Sequence, residues 1–186
     1  ATTTYYVEAA KGVNFQSSGK IAPTLNSSYV FSNYGVVFNA TSATTLASTV
    51  IYPFGTGTVT IALQNSAGLE LMSTTAIPVT GSGLTTPVTV PLNFAVPVGT
   101  GYRLIVKAYT GITGLIRESS GNSFPYTSSK ISVTGGWTGS SASTTSYYFF
   151  YDIKAAVDCS SPRTAVTATV STAPALAISN NSATIC

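Results

Sequence analysis

Side chains able to carry out chemistry are sparse in this sequence. It contains no histidine, so a Ser–His–Asp arrangement would lack a base of near-neutral pKa. Two cysteines without histidine cannot form a zinc site, and no Asp-x-Asp pattern indicates calcium. Paired-carboxylate hydrolysis needs two acids across a cleft, and the five acids occupy separate contexts. They are Glu8, Glu70, Glu118, Asp152 and Asp158. We predict no enzymatic activity, no metal and no cofactor.

The most distinctive polar segment is Gly114–Tyr126, "GLIRESSGNSFPY", which reads as one loop. It is either a recognition loop, whose guanidinium and rings grip a carboxylated sugar or a peptide carboxylate, or a structural connection. In the structural interpretation, which we favour, Arg117 binds loop carbonyls and a carboxylate. Trp137 is either an exposed stacking ring or a side chain packed on its own domain. The candidate ligand-binding residues are Arg117, Glu118, Asn122, Tyr126 and Trp137.

The composition narrows the classes of partner. Only 7% of the 186 residues are charged, whereas 44% are hydrophobic, so the chain should fold around a core. The net charge of +3 comes from cations of which no two are adjacent, and this argues against nucleic acid as a partner. No apolar run approaches the length of a membrane-spanning helix. Abundant Ser and Thr with little Lys and Glu are typical of extracellular proteins.

The two cysteines, Cys159 and Cys186, are a candidate disulfide. An oxidising compartment would let them pair with each other. The alternatives are that each is free, or that Cys186 pairs with a residue outside this sequence.

Period-two alternation predicts strands almost everywhere, and helical periodicity is nearly absent. Thr58–Gln64 and Tyr102–Tyr109 are examples, and Pro53–Thr58 and Asn65–Gly68 read as turns between strands. The segment beginning at Thr134, "TGGWTGSSAS", reads as a loop. Short strands with such turns predict an all-β fold, an antiparallel β-sandwich of jelly-roll or Ig-like type with essentially no helix.

Five consecutive aromatic residues begin at Tyr147 in the strand "TSYYFFYDIKAAVDC". Alternation would put Tyr147, Phe149 and Tyr151 on one face and Tyr148 and Phe150 on the other. With rings on both faces, the strand should be central, with one face in the core and the other under the Gly114–Tyr126 loop. We predict that the rings are core and loop anchor, and that 163–170 returns as the hairpin partner of this strand.

The predicted organisation is one β-sandwich module over 1–170, followed by a linker and the first strand of another module over 171–186. The segments "TTTYYVEAA" and "TTSYYFFYDIKAA" resemble each other. Residues 1–10 are therefore either the first strand or the end of a preceding module.

The order of several sequence segments resembles a known family. These segments include "STVIYPFGTGTVTIALQNSAG", "LIRESSGNSFPY", "YYFFYDIKAAVDCSSPRTAVTATV" and "APALAISNNSATIC". They are similar to repeat modules of large surface proteins of Bacteroidetes, the gliding-motility adhesins and Ig-like repeat proteins exported by type IX secretion. The resemblance covers roughly Ala9–Cys186.

This resemblance implies a secreted or cell-surface module that is structural or adhesive, part of a repeat protein or filament. Its expected partners are neighbouring modules or identical subunits, with surface glycans as a further possibility, and neither nucleic acid nor membrane insertion is expected. The alternative is a carbohydrate-binding module that uses the Arg and aromatic residues of the loop.

Overall fold

The computed structural model describes residues 2–7, 14–25, 27–29, 32–157 and 164–169. All regular elements of this part of the chain are β-strands, and all of their pairings are antiparallel. The chain divides into two compact units, one made of Ala1–Gly12 with Cys159–Cys186 and the other of Val13–Asp158. The predicted boundary at residue 170 lies outside the described residues and stays a prediction.

The smaller unit contains one two-stranded ladder. Strand β1, Thr2–Val7, pairs with β17, Thr164–Thr169, so that Thr2 faces Thr169 and Val7 faces Thr164. The prediction that 163–170 pairs with the aromatic strand is therefore wrong, because its partner is the first strand of the chain.

The larger unit contains two sheets. In the four-stranded sheet the order is β2-β16-β5-β9. Its strands are β2 (Asn14–Ser18), β16 (Tyr151–Val157), β5 (Thr44–Ile51) and β9 (Val88–Val96).

The eleven-stranded sheet is centred on the order β12-β13-β4-β10-β6-β11-β15, with β14 on β13, β3 on β11, and β7 and β8 on β6. Its strands are β3 (Ser28–Tyr29), β4 (Tyr34–Ala40), β6 (Pro53–Gln64), β7 (Glu70–Ser73), β8 (Ile77–Ser82), β10 (Gly99–Thr110), β11 (Gly114–Glu118), β12 (Tyr126–Thr127), β13 (Ile131–Thr138), β14 (Ala142–Ser143) and β15 (Tyr147–Tyr148).

The two sheets share one hydrophobic core. Alternate residues point into it where the pattern is regular, as in β9, where Val90, Leu92 and Phe94 are buried between exposed neighbours. Phe38 and Leu104 enter the same core from the larger sheet. Because such strands bury one side chain in two, the alternation in the sequence reflects this arrangement. The predicted all-β antiparallel sandwich is confirmed.

Residues Pro53–Thr58 are not the predicted turn. Strand β6 begins at Pro53 and belongs to the eleven-stranded sheet, whereas β5 before it belongs to the four-stranded sheet. The chain thus crosses between sheets at Tyr52. Gly57 is needed for close packing rather than for a turn, since a Cβ there would overlap the backbone of Thr110. The other predicted turn, Asn65–Gly68, is confirmed and connects β6 to its partner β7.

The segment from Thr134 is also not a loop. Strand β13 runs through Thr138 and pairs with β4, with a bulge between Val133 and Gly135. A Cβ on Gly136 would collide with the backbone of Ser146, so the glycine permits two chain segments to approach. Glycines in this chain mark close contacts between strands as well as turns, and the sequence pattern alone does not distinguish the two.

The five consecutive rings are confirmed as core, because all of them are buried. The predicted alternation between two faces is wrong, since the strand is interrupted. Phe149 has a φ of 69° and Asp152 a φ of 43°, and β15 joins the larger sheet while β16 joins the smaller one. The segment therefore passes from one sheet to the other, with rings packed in the core on both sides of the crossing.

Candidate functional site

The segment Gly114–Tyr126 is half strand and half loop, so the prediction of a single loop is wrong. Strand β11 carries Arg117 and ends at Glu118, and it pairs with β15 through Arg117 and Tyr148. The loop that follows carries Asn122 and leads to Tyr126 in β12. Four of the five candidate residues thus belong to one strand–loop–strand unit.

Glu118 is the most enclosed charged group in the described part of the chain, with no exposed surface. Its Oε1 accepts hydrogen bonds from the Thr24 backbone N–H at 2.7 Å, the Thr24 hydroxyl at 2.6 Å and the Leu25 N–H at 3.3 Å. Its Oε2 lies 2.6 Å from Lys20 Nζ. A buried carboxylate is tolerated only with such partners.

Lys20 is the second residue after β2, and hydrogen bonds of its backbone hold it in place. Its N–H donates to the Tyr147 hydroxyl at 3.0 Å, and its carbonyl accepts from the Asp152 N–H at 2.8 Å. Gly19 before it has a φ of 73°, and a Cβ there would collide with the Tyr147 hydroxyl. Glycine is therefore required for the turn that brings Lys20 to Glu118.

Asn122 completes this group of polar residues. Its Nδ2 donates to the Glu118 carbonyl at 3.1 Å and to the Thr145 carbonyl at 2.8 Å. Its Oδ1 accepts a hydrogen bond from Lys20 Nζ at 3.4 Å. Glu118 is fully buried and the other two residues are partly buried, and we call Lys20, Glu118 and Asn122 the buried triad.

Aromatic rings lie beside the buried triad. Tyr147 stacks on Phe124 with ring centres 5.8 Å apart and meets Tyr126 edge-on at 5.6 Å. The ring centre of Tyr151 lies 5.2 Å from that of Tyr147, and the Tyr151 hydroxyl is buried. The loop therefore covers Tyr147, not the Tyr148 and Phe150 that the sequence predicted.

Electrostatics in this region follow from burial and from the Lys20 charge. Burial raises the pKa of the Glu118 carboxyl, but the contacts with Lys20 and Thr24 outweigh it and hold that pKa below its ordinary value. Burial raises the pKa of the Tyr151 hydroxyl, and the nearby Glu118 charge raises it further. The triad thus rests as an ion pair beside neutral phenols.

Within the described residues, Arg117 pairs with no carboxylate, unlike the structural interpretation drawn from the sequence. Its guanidinium lies over the Tyr29 ring at 4.2 Å from the ring centre, and its Nε is buried without a hydrogen-bond partner among the described residues. Tyr29 in turn contacts Tyr34 and Tyr148. Arg117 covers a cluster of packed rings, a contact worth about 0.5–2 kcal/mol depending on desolvation.

Trp137 packs in a different cluster of side chains from the one around the buried triad. It contacts Ala62 and Ile105, which are separate from the main core, and the Arg103 guanidinium covers its ring at 3.7 Å. Arg103 is itself held by a hydrogen bond to the Ser66 carbonyl at 2.7 Å. The ring is 8% exposed and does not form an open stacking surface in this structure.

A second candidate site is a groove of about 520 Å³ at the edge of the sandwich, between β7 and β9. It was not identified from the sequence. Three large side chains on or beside these strands are exposed, Leu69 at 65%, Leu71 at 41% and Val98 at 64%. The residues that line it are Ala43, Thr44, Leu71, Met72, Ala95, Val96 and Pro97. We call this region the apolar groove.

Comparison with family models, with curated protein sequences and with solved structures finds no match. The described residues form no helix long and apolar enough to cross a membrane. Within the same residues, no three Asp, Glu or Cys side chains cluster as a metal site would require. The candidate disulfide residues, Cys159 and Cys186, and the segment 171–186 lie outside the described residues.

Proposed function

We propose that this chain is a structural or adhesive module of an extracellular repeat protein, acting through surface contacts with neighbouring modules or identical subunits. The observation that carries the proposal is the apolar groove, whose lining includes the exposed Leu71. Exposed apolar patches on a folded domain commonly mark contact sites for other macromolecules. The Ser- and Thr-rich composition, with 7% charged residues, supports an extracellular location.

The position of the groove supports contact through side chains. Strand β9 is the last strand in the order of the smaller sheet, and β7 pairs only with β6. Strand β9 contains Pro91 and also Asn93, whose φ is 54°, and such features disfavour the addition of a further strand to an edge. Leu71 and Val98 instead offer an apolar surface to a partner.

The alternative function, carbohydrate binding, is not favoured by any contact of the described candidate residues. Tyr148 and Phe150, whose exposure would have favoured it, are buried. Trp137 is covered by Arg103, and Glu118 is engaged by Lys20 and Thr24. The contacts of Glu118 and Asn122 within the fold support a structural role for this segment.

The test is self-association and surface adhesion of the full chain. We expect the wild-type chain to associate with rising concentration in sedimentation velocity and to be retained on surfaces coated with the same chain. Both properties should be lost in the double variant Leu71→Asp, Val98→Asp. Phe15→Asp is the matched control, because Phe15 is 53% exposed on β2 at the opposite end of the four-stranded sheet.

Two outcomes would contradict the proposal. One is a chain that stays monomeric at every accessible concentration and does not adhere to coated surfaces. The other is equal loss of association in the Phe15→Asp control, which would show that contact does not depend on the apolar groove.

A further inference from the structure

We propose that Lys20 and Asn122 of the buried triad join in an isopeptide bond, with Glu118 as the acid–base group. Lys20 Nζ lies 2.6 Å from Glu118 Oε2 and 3.4 Å from Asn122 Oδ1. The amide carbon is one carbonyl bond, about 1.2 Å, from that oxygen. The carbon that the amine would attack is therefore between about 3.4 and 4.6 Å from Nζ. This reaction goes beyond the proposed contact function and does not depend on it.

The three groups are held in place before any reaction. Hydrogen bonds on both sides of its backbone fix Lys20, and two carbonyls fix the Asn122 amide. Three donors from Thr24 and Leu25 hold Glu118 Oε1, which leaves Oε2 facing the amine. Such positioning replaces an encounter between free groups by an intramolecular step, which can account for a large part of a rate enhancement.

The reaction balances with no outside reagent. The Lys20 ammonium gives one proton to Glu118, and the neutral amine attacks Asn122 Cγ to form the new N–C bond. The Cγ–Nδ2 bond then breaks as Nδ2 takes up one further proton of Nζ and leaves as ammonia. The ammonia receives the proton that Glu118 held and becomes ammonium. In total, an ammonium and a primary amide become a secondary amide and an ammonium ion, and Glu118 returns to its original state.

The Lys20–Glu118 contact gives a direct path for the proton transfer that the reaction needs, starting from the ion pair that is the resting state. The Lys20 side chain is 14% exposed and Glu118 is not exposed, so little water reaches the pair. Moving the proton from Nζ to Oε2 removes two charges from a buried site, and low dielectric reduces the cost of the neutral pair relative to the ionised one. The Tyr147 and Phe124 rings on one side add to the exclusion of water.

The bond would join distant parts of the sequence. It would link the segment after β2 to the loop after β11 across 102 positions. A covalent link of this kind restricts the unfolded chain, as a disulfide does, but it resists reduction.

The test is the intact mass of the full chain, measured under denaturing and reducing conditions. We expect the chain to lack the mass of one ammonia relative to its sequence. We also expect trypsin to leave the bond after Lys20 uncut, and tandem mass spectrometry of a digest to find one peptide pair joined through Lys20 and Asn122.

Single substitutions test the part that each residue of the buried triad has in forming the bond. Lys20→Arg, Asn122→Ala and Glu118→Gln should each restore the full mass, whereas Lys154→Arg should not. Lys154 is the matched control, since it lies 3.1 Å from Asp152 in the same unit. Mass loss that persists in Lys20→Arg would indicate a cyclic imide at Asn122 and would overturn the proposal.

The wild-type chain alone can also overturn it. Full mass in freshly purified protein and after long incubation at neutral pH would exclude the bond, whatever the folding of the variants. An ammonia loss without a linked peptide in the digest would exclude it as well.

Discussion

Two Lys–Glu pairs in this protein have nearly the same length and very different surroundings. Lys20 lies 2.6 Å from Glu118, and Lys107 lies 2.7 Å from Glu70. In the first pair the side chains are 14% and 0% exposed, and in the second they are 45% and 37% exposed. The Lys20–Glu118 pair is therefore enclosed among hydrogen-bond donors and aromatic rings, whereas the Lys107–Glu70 pair is open to solvent.

For two pairs of nearly equal length, burial and not distance should determine how much each contributes to the free energy of unfolding. An exposed pair contributes about 0–1 kcal/mol, because water and salt screen it. Removing one partner of a buried pair costs about 3–5 kcal/mol, because it leaves an uncompensated charge. The comparison is best made in an Asn122→Ala background, in which the proposed bond cannot form and both ion pairs remain.

The largest effect is expected from Lys20→Met. The change leaves the Glu118 carboxylate buried without its cation, so the free energy of unfolding should fall by about 3–5 kcal/mol. Urea unfolding followed by the fluorescence of Trp137, the single tryptophan, measures this. A loss of less than about 1 kcal/mol would show that the buried pair behaves like an exposed one.

A smaller effect is expected from acid. The folded-state pKa of Glu118 lies below its ordinary value, so its stabilising contribution is complete above the unfolded pKa of about 4.3. It is lost as the pH falls through the lower folded value. Unfolding free energy should therefore decrease below about pH 4.3, and Glu118→Gln should flatten that decrease.

Glu70 supplies the control for this pH dependence. Its hydrogen bond with Lys107 lowers its pKa, but both side chains are exposed. Glu70→Gln should leave the acid profile close to that of the parent. If the acid profile changes more in Glu70→Gln than in Glu118→Gln, then Glu70, not Glu118, is the main cause of the loss of stability in acid.

The smallest effect is expected from Lys107→Met. The methylene stem is kept and only an exposed charge is removed, so stability should change by about 0–1 kcal/mol. The same urea unfolding measures the change, and added salt should reduce it further. A loss comparable to that of Lys20→Met would mean that exposure does not distinguish the two pairs.

The fold class could be predicted from the sequence because alternation survives in most strands. In β9, Val90, Leu92 and Phe94 are buried as the pattern requires. The crossings between sheets could not be predicted, since they depend on single residues such as Tyr52 and Phe149. A residue of positive φ, or a glycine in close contact with another strand, leaves no periodic signal.

The candidate site was recognised in part. Glu118 and Asn122 stand close together in a conspicuous polar segment, and both belong to the buried triad. Lys20 was missed because it approaches them only after the strands pair, from 102 positions away from Asn122. Its one local sign is Gly19, whose absent Cβ permits the turn. The apolar groove was missed because exposure of Leu71 and Val98 is not readable from alternation.

The β1–β17 ladder has a mechanical consequence. Thr2 faces Thr169 at one end of it, and Val7 faces Thr164 at the other. Tension applied at Thr2 and Thr169 would open the ladder pair by pair from that end, as a zipper opens, and would not load all of its hydrogen bonds together. Everything between Val7 and Thr164 in sequence, the sandwich included, is outside the path of the force until the ladder has opened. Under tension applied in this way, the ladder would therefore open before any strand of the sandwich carries load.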